Sequence, residues 1–458
     1  MSRHGVDGAR RVTLLAVAMA MLVSACSSDA GAPAAAPPGT SSSAAEPAGL
    51  VPATVEVPSG MNAAPLNLQR QALIPKGWTI SVFTRLPNAR LEAWAPDKTL
   101  IVSVPDDGTV VRLVPNGKGQ ATVETMLTGL DLPHGLAFDG DTLYVAQTNR
   151  VDTYTYADGK ATDPKPLLTD LPSADSPELG GKYAHALKSV ALGEDGSVYV
   201  SIGSTGNIST EDLTANPPRA SILRVPPNGG KPEPFAVGVR NGTGLAVAPD
   251  GAVWTAVNNR DNVQYPFDRP YGGGSGSSQG EVIADYVRDH PVEPLAKLTP
   301  GRNLGWPYCN PDADVDPGVK GSKQDRESVS FTADVETNPG GGKLDCAKLP
   351  PIEQTLGGHS APLGLSFVDG GLPDAYAHGA LLGVHGSWNA KPPRAPEVSF
   401  FPWQDGELGK QQTLVGGFQA EDGSRWGRPV AAVVGPDNAV YVSDDEAGAI
   451  YRLAPPQS

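Results

Sequence analysis

Basic side chains stand directly in front of short, alternating apolar segments at several distant places in the chain. The residues in this position are Arg90, His134, His185, Arg240 with Asn241, His359 and Arg428. Guanidinium and imidazole groups that converge on one place bind compact anions through charge-assisted hydrogen bonds, and an imidazole also transfers protons near neutral pH. The pattern predicts a site for a small anionic ligand. Any single member could instead satisfy loose backbone groups before a strand.

The apolar segments behind these residues repeat six times. Each copy is a short alternating strand, a turn with Pro, Asp or Gly, and a second alternating strand. The copies begin at Leu91, Gly135, Ser189, Gly244, Gly364 and Val430. Repetition at about 45 to 65 residues is typical of propeller blades, so the sequence predicts an all-β fold, a six-bladed β-propeller. The segment "WTISVFTRL", which starts at Trp78, is predicted to complete the last blade and close the ring.

This topology gathers the basic residues. The first strand of a propeller blade lines the central channel, so the residues before it lie at one mouth, and the second strand returns to that mouth. A second set of polar residues is therefore expected there. It comprises Asp106, Asp107, Gln147, Asn149, residues 204–207, residues 258–261, residues 385–389, Asp444 and Asp445.

The N-terminus has the pattern of an export signal. Arg10 and Arg11 precede an apolar run over residues 12–23, which is too short to span a membrane comfortably. The stretch "LVSAC" resembles a bacterial lipobox with Cys26 as the lipidated residue. We expect a lipoprotein signal peptide over 1–25, a lipid-anchored, disordered Pro/Ala/Ser-rich linker over 26–60, and the propeller over 61–458, on the outer face of the bacterial cell membrane. An exported chain without lipid is the alternative.

Charge and cysteine content narrow the partners. A formal net charge of −15 makes nucleic acid a poor general partner. Cys309 and Cys346 form an even pair in a compartment where disulfides persist, so we expect them to bond to each other. A two-cysteine metal site is the alternative. The sequence has neither a C-x-x-C-H haem motif nor a Gly-rich dinucleotide fingerprint after a strand, so electrons must leave through another protein or a diffusible carrier, which the sequence does not identify.

A family resemblance rests on motifs at these positions. The pieces "PHGLAF", "HALKSVALGEDGSVYVSIG", "GVRNGTGLAVAPDG", "HGSWN" and "WGRPVAAVVGPDNAVYVSDD" occur in one order along residues 77–453. They resemble the glucose/sorbosone dehydrogenase family that depends on pyrroloquinoline quinone (PQQ), and especially its sorbosone dehydrogenase-like branch. The resemblance implies a six-bladed propeller that holds PQQ and calcium at the channel mouth and oxidises a small-molecule sugar.

The resemblance also assigns roles to residues. It implies that His185 is the general base, that Arg240 and Asn241 contact the quinone, and that Arg428 pairs with its carboxylates. Backbone carbonyls near Asn259 and Arg260 match the stretch that ligates calcium. The remaining residues expected to bind the cofactor, without a specific role, are His134, His359, His385 and Trp426.

Departures from the family pattern leave other functions open. Trp426 stands where a clamping arginine is expected, His385 and Gly386 stand where a lysine is expected, and a glutamine is replaced around Thr205. Fewer cations weaken the binding of a tricarboxylate. The alternative is therefore a cofactor-free surface receptor for a sugar or an anion. A calcium-dependent lactonase would need a ring of carboxylates and amides in the channel, which this Arg- and His-rich mouth does not match.

Overall fold

The computed structural model describes residues 49–227, 229–388 and 390–456. The predicted signal peptide, the lipidation site Cys26 and the first part of the predicted linker lie outside the described residues. No helix within those three ranges is long and apolar enough to cross a membrane.

Six sheets form the blades of a β-propeller, and their strands pair antiparallel except where Arg302–Asn303 pairs in parallel with Glu233–Val237. Blade 1 contains Glu92–Trp94, Leu100–Val104, Thr109–Pro115 and Ala121–Leu127; blade 2 contains Leu136–Asp139, Thr142–Ala146, Val151–Ala157 and Lys160–Leu168; blade 3 contains Val190–Leu192, Val198–Ile202, Ser221–Val225 and Glu233–Val237, with Arg302–Asn303 at its edge. Blade 4 contains Gly244–Val247, Val253–Ala256, Glu293–Leu298 and Ile352–Leu356, with Glu327–Val329 at its edge; blade 5 contains Pro362–Asp369, His378–Val384, Glu397–Gln404 and Gln412–Val415, with Glu407–Leu408; blade 6 contains Pro429–Val434, Val440–Asp444, Ala449–Ala454 and Thr79–Arg85.

The ring closes as the sequence predicts. Thr79–Arg85 pairs antiparallel with Ala449–Ala454, so the first strand of the propeller completes the last blade. The first strand of each blade contacts the first strand of the next, and that of blade 6 contacts that of blade 1. The all-β, six-bladed prediction is confirmed.

Burial follows the position of a strand within its blade. The second strand Leu100–Val104 is buried along its whole length, because neighbouring blades pack on both of its faces, whereas the outer strand Ala121–Leu127 is mostly exposed. Serine hydroxyls link neighbouring blades near the channel. Ser443 Oγ donates to the carbonyl oxygen of Arg90 at 2.7 Å, and Ser189 Oγ donates to that of Thr243 at 2.6 Å. These bonds fix the chain where the inner strands begin.

The packed part of the chain begins before residue 61. Leu50–Thr54 pairs with Gln71–Pro75, and Val55 is buried. The apolar alternation in "LVPATVEV" allows this segment to pair despite its Pro and Ala neighbours. The structure therefore differs from the expected linker over 26–60 at its C-terminal end.

Two long excursions leave blade 4. Residues 257–292 contain the helix Ala284–Asp289, and residues 299–351 contain the strand pair Cys309–Pro311 and Phe331–Ala333. A disulfide joins Cys309 to Cys346, with Cα atoms 5.7 Å apart, as the sequence predicts, so these cysteines form no metal site. The 3₁₀ helices are Pro105–Asp107, Pro177–Leu179, Glu211–Thr214, Pro339–Gly341, Cys346–Lys348 and Asp374–Tyr376.

Candidate active site at the channel mouth

The inner strands begin, and the second strands end, at one mouth of the channel. Most of the predicted site residues fall there into two clusters. The His185 cluster consists of His185, Arg240, Asn241, Asp261 and His359, and the Arg428 cluster consists of Arg90, His385, Arg428, Asp445 and Glu446. Each cluster joins residues that are far apart in the sequence.

His185 and Asn241 approach each other over Gly203. A Cβ placed on Gly203 would lie 2.5 Å from the Cβ of His185 and 3.2 Å from Oδ1 of Asn241. Any larger residue at this position would push the two side chains apart. Glycine at 203, which ends the "SIG" segment, is therefore what permits the histidine and the amide to share one end of the site.

The hydrogen bonds of His185 determine which ring nitrogen carries the proton. Ser204 Oγ donates to the carbonyl oxygen of Gly206 at 2.7 Å, so it accepts from His185 Nδ1, which lies 2.8 Å away. Nδ1 also lies 3.1 Å from the carbonyl oxygen of Ser204. Nε2 receives no hydrogen bond from the part of the chain that the structure describes. The lone pair is therefore on Nε2, as a general base requires.

The protonation state of His185 suits the same role. Burial, followed by the nearby Arg240 guanidinium, lowers the pKa of His185 to about 4. The imidazole is therefore neutral at pH 7 and can accept a proton.

Arg240 holds two loops of the mouth together. The buried guanidinium donates to the carbonyl oxygen of Asn258 at 3.1 Å and to Oδ1 of Asn207 at 3.0 Å. Its Nε donates to the carbonyl oxygen of Asn207 at 3.3 Å, and Nη2 lies 3.5 Å from Oδ2 of Asp261. Burial lowers its pKa to about 10, so it stays protonated at neutral pH. Most of its five donors are used within the protein, which leaves little of the fork for a ligand.

The stretch expected to bind calcium presents oxygen atoms. The carbonyl oxygens of Asn259 and Arg260 accept no hydrogen bond from the described residues. The Asp261 carboxylate follows directly, and His359 and the Arg240 guanidinium beside it hold its pKa below the usual range although burial opposes this. The Arg260 side chain pairs with Asp334 and Glu336. Carbonyl and carboxylate oxygens are the donors that calcium prefers.

His359 is a positioning residue in this cluster. Nε2 lies 2.6 Å from the carbonyl oxygen of Val287, and Nδ1 lies 3.7 Å from Oδ1 of Asp261. Burial lowers the pKa of His359, but the interaction with Asp261 opposes burial, and the pKa lies above its usual value. Burial raises the pKa of Glu293 to about 8, so this carboxyl is largely protonated at pH 7.

The Arg428 cluster surrounds an open cavity of about 310 Å³. Asp445 joins its members, with Oδ2 at 2.6 Å from Nη1 of Arg90 and Oδ1 at 2.8 Å from Nε2 of His385. Arg428 donates from Nε to the carbonyl oxygen of His385 at 2.9 Å, while its Nη1 has no partner among the described residues. The lining residues are Asn88, Arg90, Pro105, Asp106, Leu187, His385, Arg428, Asp445 and Glu446.

The carboxylate of Asp445, which joins the members of this cluster, is ionised. Burial opposes ionisation, but His385 and Arg90 outweigh it and lower the pKa of Asp445 to about 2. The cavity therefore combines two arginines with the carboxyl side chains of Asp106, Asp445 and Glu446, of which Asp445 pairs directly with Arg90.

Two residues expected to contact a cofactor do not reach the mouth. His134 is 0% exposed, and its Nδ1 lies 3.2 Å from the carbonyl oxygen of Lys188, so it links blade 2 to blade 3 beneath the mouth. Trp426 packs on Phe418 with ring centroids 4.8 Å apart, and its Nε1 donates to the carbonyl oxygen of Gly417 at 2.8 Å. Both side chains turn into the protein, where they have no surface for a ligand.

The sequence placed Asp261 and Asp445 among the polar residues expected at the mouth but gave these acidic partners no role in the site. Asp261 and Asp445 follow second strands, where the repeat pattern places polar residues at the mouth, but the family motifs drew attention to the cations. Glu293 begins the strand Glu293–Leu298. The one sequence feature that could have drawn attention to it is a carboxyl side chain at the start of an apolar run.

Comparisons with known proteins cover most of the chain. A family model described as TrAA12-like matches residues 73–455. The PQQ domain of pyranose dehydrogenase from Coprinopsis cinerea is 18% identical, with a TM-score of 0.68 over 84% of this chain and 97% of that chain. A Trichoderma reesei protein of Carbohydrate-Active Enzymes Family AA12 is 19% identical, with a TM-score of 0.66 over 83% of this chain and 97% of that chain.

Two further matches cover a similar share of the chain. The soluble aldose sugar dehydrogenase of Escherichia coli is 15% identical, with a TM-score of 0.55 over 82% of this chain and 99% of that chain. An uncharacterised protein of Borreliella burgdorferi is 22% identical over 398 residues, which are 83% of this chain and 90% of that protein. At these identities the likeness shows a shared fold.

Proposed function

Because this chain belongs to the TrAA12-like family, we propose that it is a PQQ-dependent dehydrogenase that oxidises a sugar at the channel mouth. The observation that carries this proposal is the state of His185, whose lone-pair nitrogen faces no protein donor among the described residues and whose pKa of about 4 keeps it neutral. The solved structures of similar fold include a PQQ domain and an aldose sugar dehydrogenase, which supports the same chemistry.

The donor set at the mouth fits both groups of the proposed cofactor. PQQ carries three carboxylates, and the cavity beside Arg428 presents the guanidinium groups of Arg428 and Arg90. The carbonyl oxygens of Asn259 and Arg260, which accept no hydrogen bond within the described ranges and lie next to the Asp261 carboxylate, suit calcium. Arg90 supplies a cation from blade 1, which offsets part of the charge lost where Trp426 replaces a family arginine.

The residues of the chain have separate tasks in the proposed reaction. When bound, PQQ with calcium supplies the electrophilic carbonyl that takes a hydride from the sugar. His185 Nε2 accepts the proton of the C1 hydroxyl, and the product of an aldose is a lactone. Ser204 keeps Nδ1–H oriented and stabilises the imidazolium that forms. Asn241, held beside His185 over Gly203, orients the reacting groups.

Trp388 is the proposed platform for the sugar. It is 75% exposed, and it lies three residues after His385, which lines the Arg428 cavity. Exposure of a large apolar ring to water does not stabilise the free protein, and exposed apolar surface commonly marks a binding site. We assign its ring to contact with the apolar face of a sugar, which leaves the sugar hydroxyls free to reach His185.

The proposed location is the outer face of the cell membrane, through lipid on Cys26. Lipidation requires the thiol, so Cys26→Ser should move the protein from the membrane fraction to the soluble exported fraction. Equal membrane association of this variant and the natural chain would contradict the anchor.

Reconstitution tests the proposed activity. Purified protein is incubated with PQQ and calcium, and a panel of aldoses is added with an artificial dye as acceptor. We expect sugar-dependent dye reduction that needs both PQQ and calcium. Absence of dye reduction across the panel, combined with sugar binding by the cofactor-free protein in calorimetry, would favour the receptor alternative. Two observations favour that alternative: most N–H groups of Arg240 already donate to protein oxygens, and the Trp426 ring is buried.

A further inference from the structure

A cluster of ligand-type side chains lies in the excursions of blade 4, apart from both mouth clusters. His290 Nε2 lies 3.2 Å from Oδ2 of Asp314 and 3.5 Å from Oδ1 of Asp312, and the three ligand atoms lie within 4.8 Å of one another. The side chains of His290, Asp312 and Asp314 are only 6%, 6% and 5% exposed. We propose that these three residues bind a divalent transition-metal ion.

The imidazole is oriented as a metal ligand. Its Nδ1 lies 2.9 Å from the carbonyl oxygen of Tyr286, to which it donates, and the ring stacks on the Tyr286 ring with centroids 4.0 Å apart and planes at 10°. Metal-binding histidines commonly donate their other ring N–H to a backbone carbonyl in this way. The bond directs the Nε2 lone pair between the two carboxylates.

Two atoms beside the space between His290, Asp312 and Asp314, called the gap below, lack hydrogen-bond partners in the described ranges. Oδ1 of Asp312 accepts from the backbone N–H of Asp314 at 3.0 Å, whereas Oδ2 of Asp312 and Nε2 of His290 form no hydrogen bond with the described residues. Ligand atoms at about 2.1 Å from a shared ion lie about 3.0 to 3.4 Å apart in octahedral or tetrahedral geometry. The two separations from Nε2 are 3.2 Å, within that range, and 3.5 Å, just above it.

A proton is the competitor for this gap. In the ion-free chain, burial lowers the pKa of His290, but Asp312 and Asp314 outweigh it and hold the pKa at about 10. A metal ion must displace that proton, so its binding should strengthen as the pH rises.

The donor set selects the class of ion. An imidazole nitrogen with two carboxylate oxygens suits zinc, manganese or cobalt, whereas calcium and magnesium favour all-oxygen sites. Three protein ligands leave at least one position for water. This site is therefore chemically distinct from the oxygen-only stretch at residues 259–261.

The ion would fasten the excursion that borders the mouth. His290 directly follows the helix Ala284–Asp289, while Asp312 and Asp314 lie in a hairpin that pairs Asp314 with Gln324. The same helix presents the Val287 carbonyl oxygen to His359. The ion would therefore stabilise the wall behind the His185 cluster, a role that does not depend on the sugar chemistry.

Metal titration of the full chain tests this inference. Chelator-treated protein is titrated with zinc chloride, and separately with cobalt chloride while visible absorption is recorded, in the absence of PQQ. We expect one zinc per chain, a higher thermal unfolding midpoint with zinc, and cobalt ligand-field bands. Asp314→Asn and Asp312→Asn should each weaken zinc binding by at least about 10-fold. His378→Ala is the matched control, because the His378–Asp369 pair has a similar separation of 3.0 Å but is 61% and 70% exposed.

The outcomes separate a metal site from a histidinium pair. Zinc binding that is equal in the natural chain and in Asp314→Asn would overturn the proposal, and so would binding that is lost in His378→Ala. If both aspartate variants fail to fold, the cobalt spectrum of the natural chain decides. Absence of ligand-field bands at pH 8, with a full equivalent of cobalt present, would leave only the proton in the gap and refute the site.

Discussion

The two clusters at the mouth use their cations differently. In the His185 cluster, Arg240 donates most of its N–H groups to protein oxygens, and His359 Nε2 lies 2.6 Å from the Val287 carbonyl oxygen while Nδ1 faces Asp261 at 3.7 Å. In the Arg428 cluster, Arg428 keeps Nη1 free of the described residues and faces a cavity of about 310 Å³. The first arrangement is a rigid frame around one base, and the second is an open cavity at which Arg428 can donate to a ligand.

This difference shows that the type of a residue does not reveal its task. Both arginines precede an inner strand at the same mouth, yet burial makes Arg240 a structural tie and partial exposure leaves Arg428 available. Variants of the two clusters should therefore fail in different ways. We expect loss of turnover when His185 is replaced and loss of affinity for PQQ when Arg428 is replaced.

His185→Ala should produce the largest effect. Loss of a general base costs about 10²- to 10⁴-fold in kcat, while cofactor affinity should change little because the Arg428 cluster is intact. Dye-linked turnover and a PQQ titration measure the two quantities, and His378→Ala is the control for removal of a histidine. Unchanged turnover in His185→Ala would remove the base from the account.

The pH profile tests the same residue without mutation. Because the pKa of His185 is lowered to about 4, the base is already deprotonated at pH 6. The acid limb of kcat/KM should therefore lie near that value, with a plateau above it, in measurements on briefly acidified enzyme. A limb near the ordinary histidine value of about 6.5 would show that the environment of His185 differs from the one described.

Arg428→Ala should weaken PQQ binding by roughly 10- to 150-fold, which corresponds to the 1.5 to 3 kcal/mol of a charge-assisted hydrogen bond. Arg240→Ala should instead lower the thermal unfolding midpoint, because it unties the loops at Asn207 and Asn258. Cofactor titration and thermal unfolding of both variants separate the two roles. Equal losses of affinity and of stability in both variants would erase the contrast between the clusters.

Asp445→Asn should lower the free energy of unfolding by about 1 to 3 kcal/mol at pH 7, because Arg90 and His385 lose their shared carboxylate. The folded pKa of Asp445 is lowered to about 2, below that of an unfolded aspartate. Its contribution is therefore complete above about pH 4 and is lost as the pH falls towards 2. Denaturant unfolding at pH 7 and pH 3 should show the difference between variant and natural chain shrinking. A constant difference would contradict the ionised state.

Trp388→Ala should produce the smallest effect. Loss of one aromatic contact of about 0.5 to 1.5 kcal/mol raises KM for the sugar by roughly 2- to 10-fold and leaves kcat nearly unchanged. Trp388→Phe should restore part of the affinity. A large drop in kcat for Trp388→Ala would place this ring at the reacting atoms instead of at the rim.

The repeat pattern predicted the blades, the closing strand and the end of the channel at which polar residues gather. Period-2 alternation fixes which residues end a strand, and propeller topology then fixes the mouth. It does not fix the direction of an individual side chain. His134 and Trp426 occupy positions equivalent to mouth residues, but packing against Lys188 and Phe418 turns them inwards.

Contacts made by the excursions could not be predicted. His290 and Asp312 lie in segments without periodicity, and their approach depends on a helix and a hairpin that pack across two separate loops. The pairing of Arg260 with Asp334 has the same origin. Sequence analysis placed both the cations and the carboxylates Asp261 and Asp445 at the mouth, whereas the structure supplied the pairing between them.

Titration of the purified chain with PQQ in the presence of calcium, followed by visible absorption before and after addition of an aldose, tests the central claim most directly. The account predicts saturation at one PQQ per chain, a sugar-dependent spectral change in the natural protein, saturation without that change in His185→Ala, and weaker saturation in Arg428→Ala. A natural chain whose spectrum shows no bound PQQ at any concentration, or bound PQQ that no aldose alters, would contradict it.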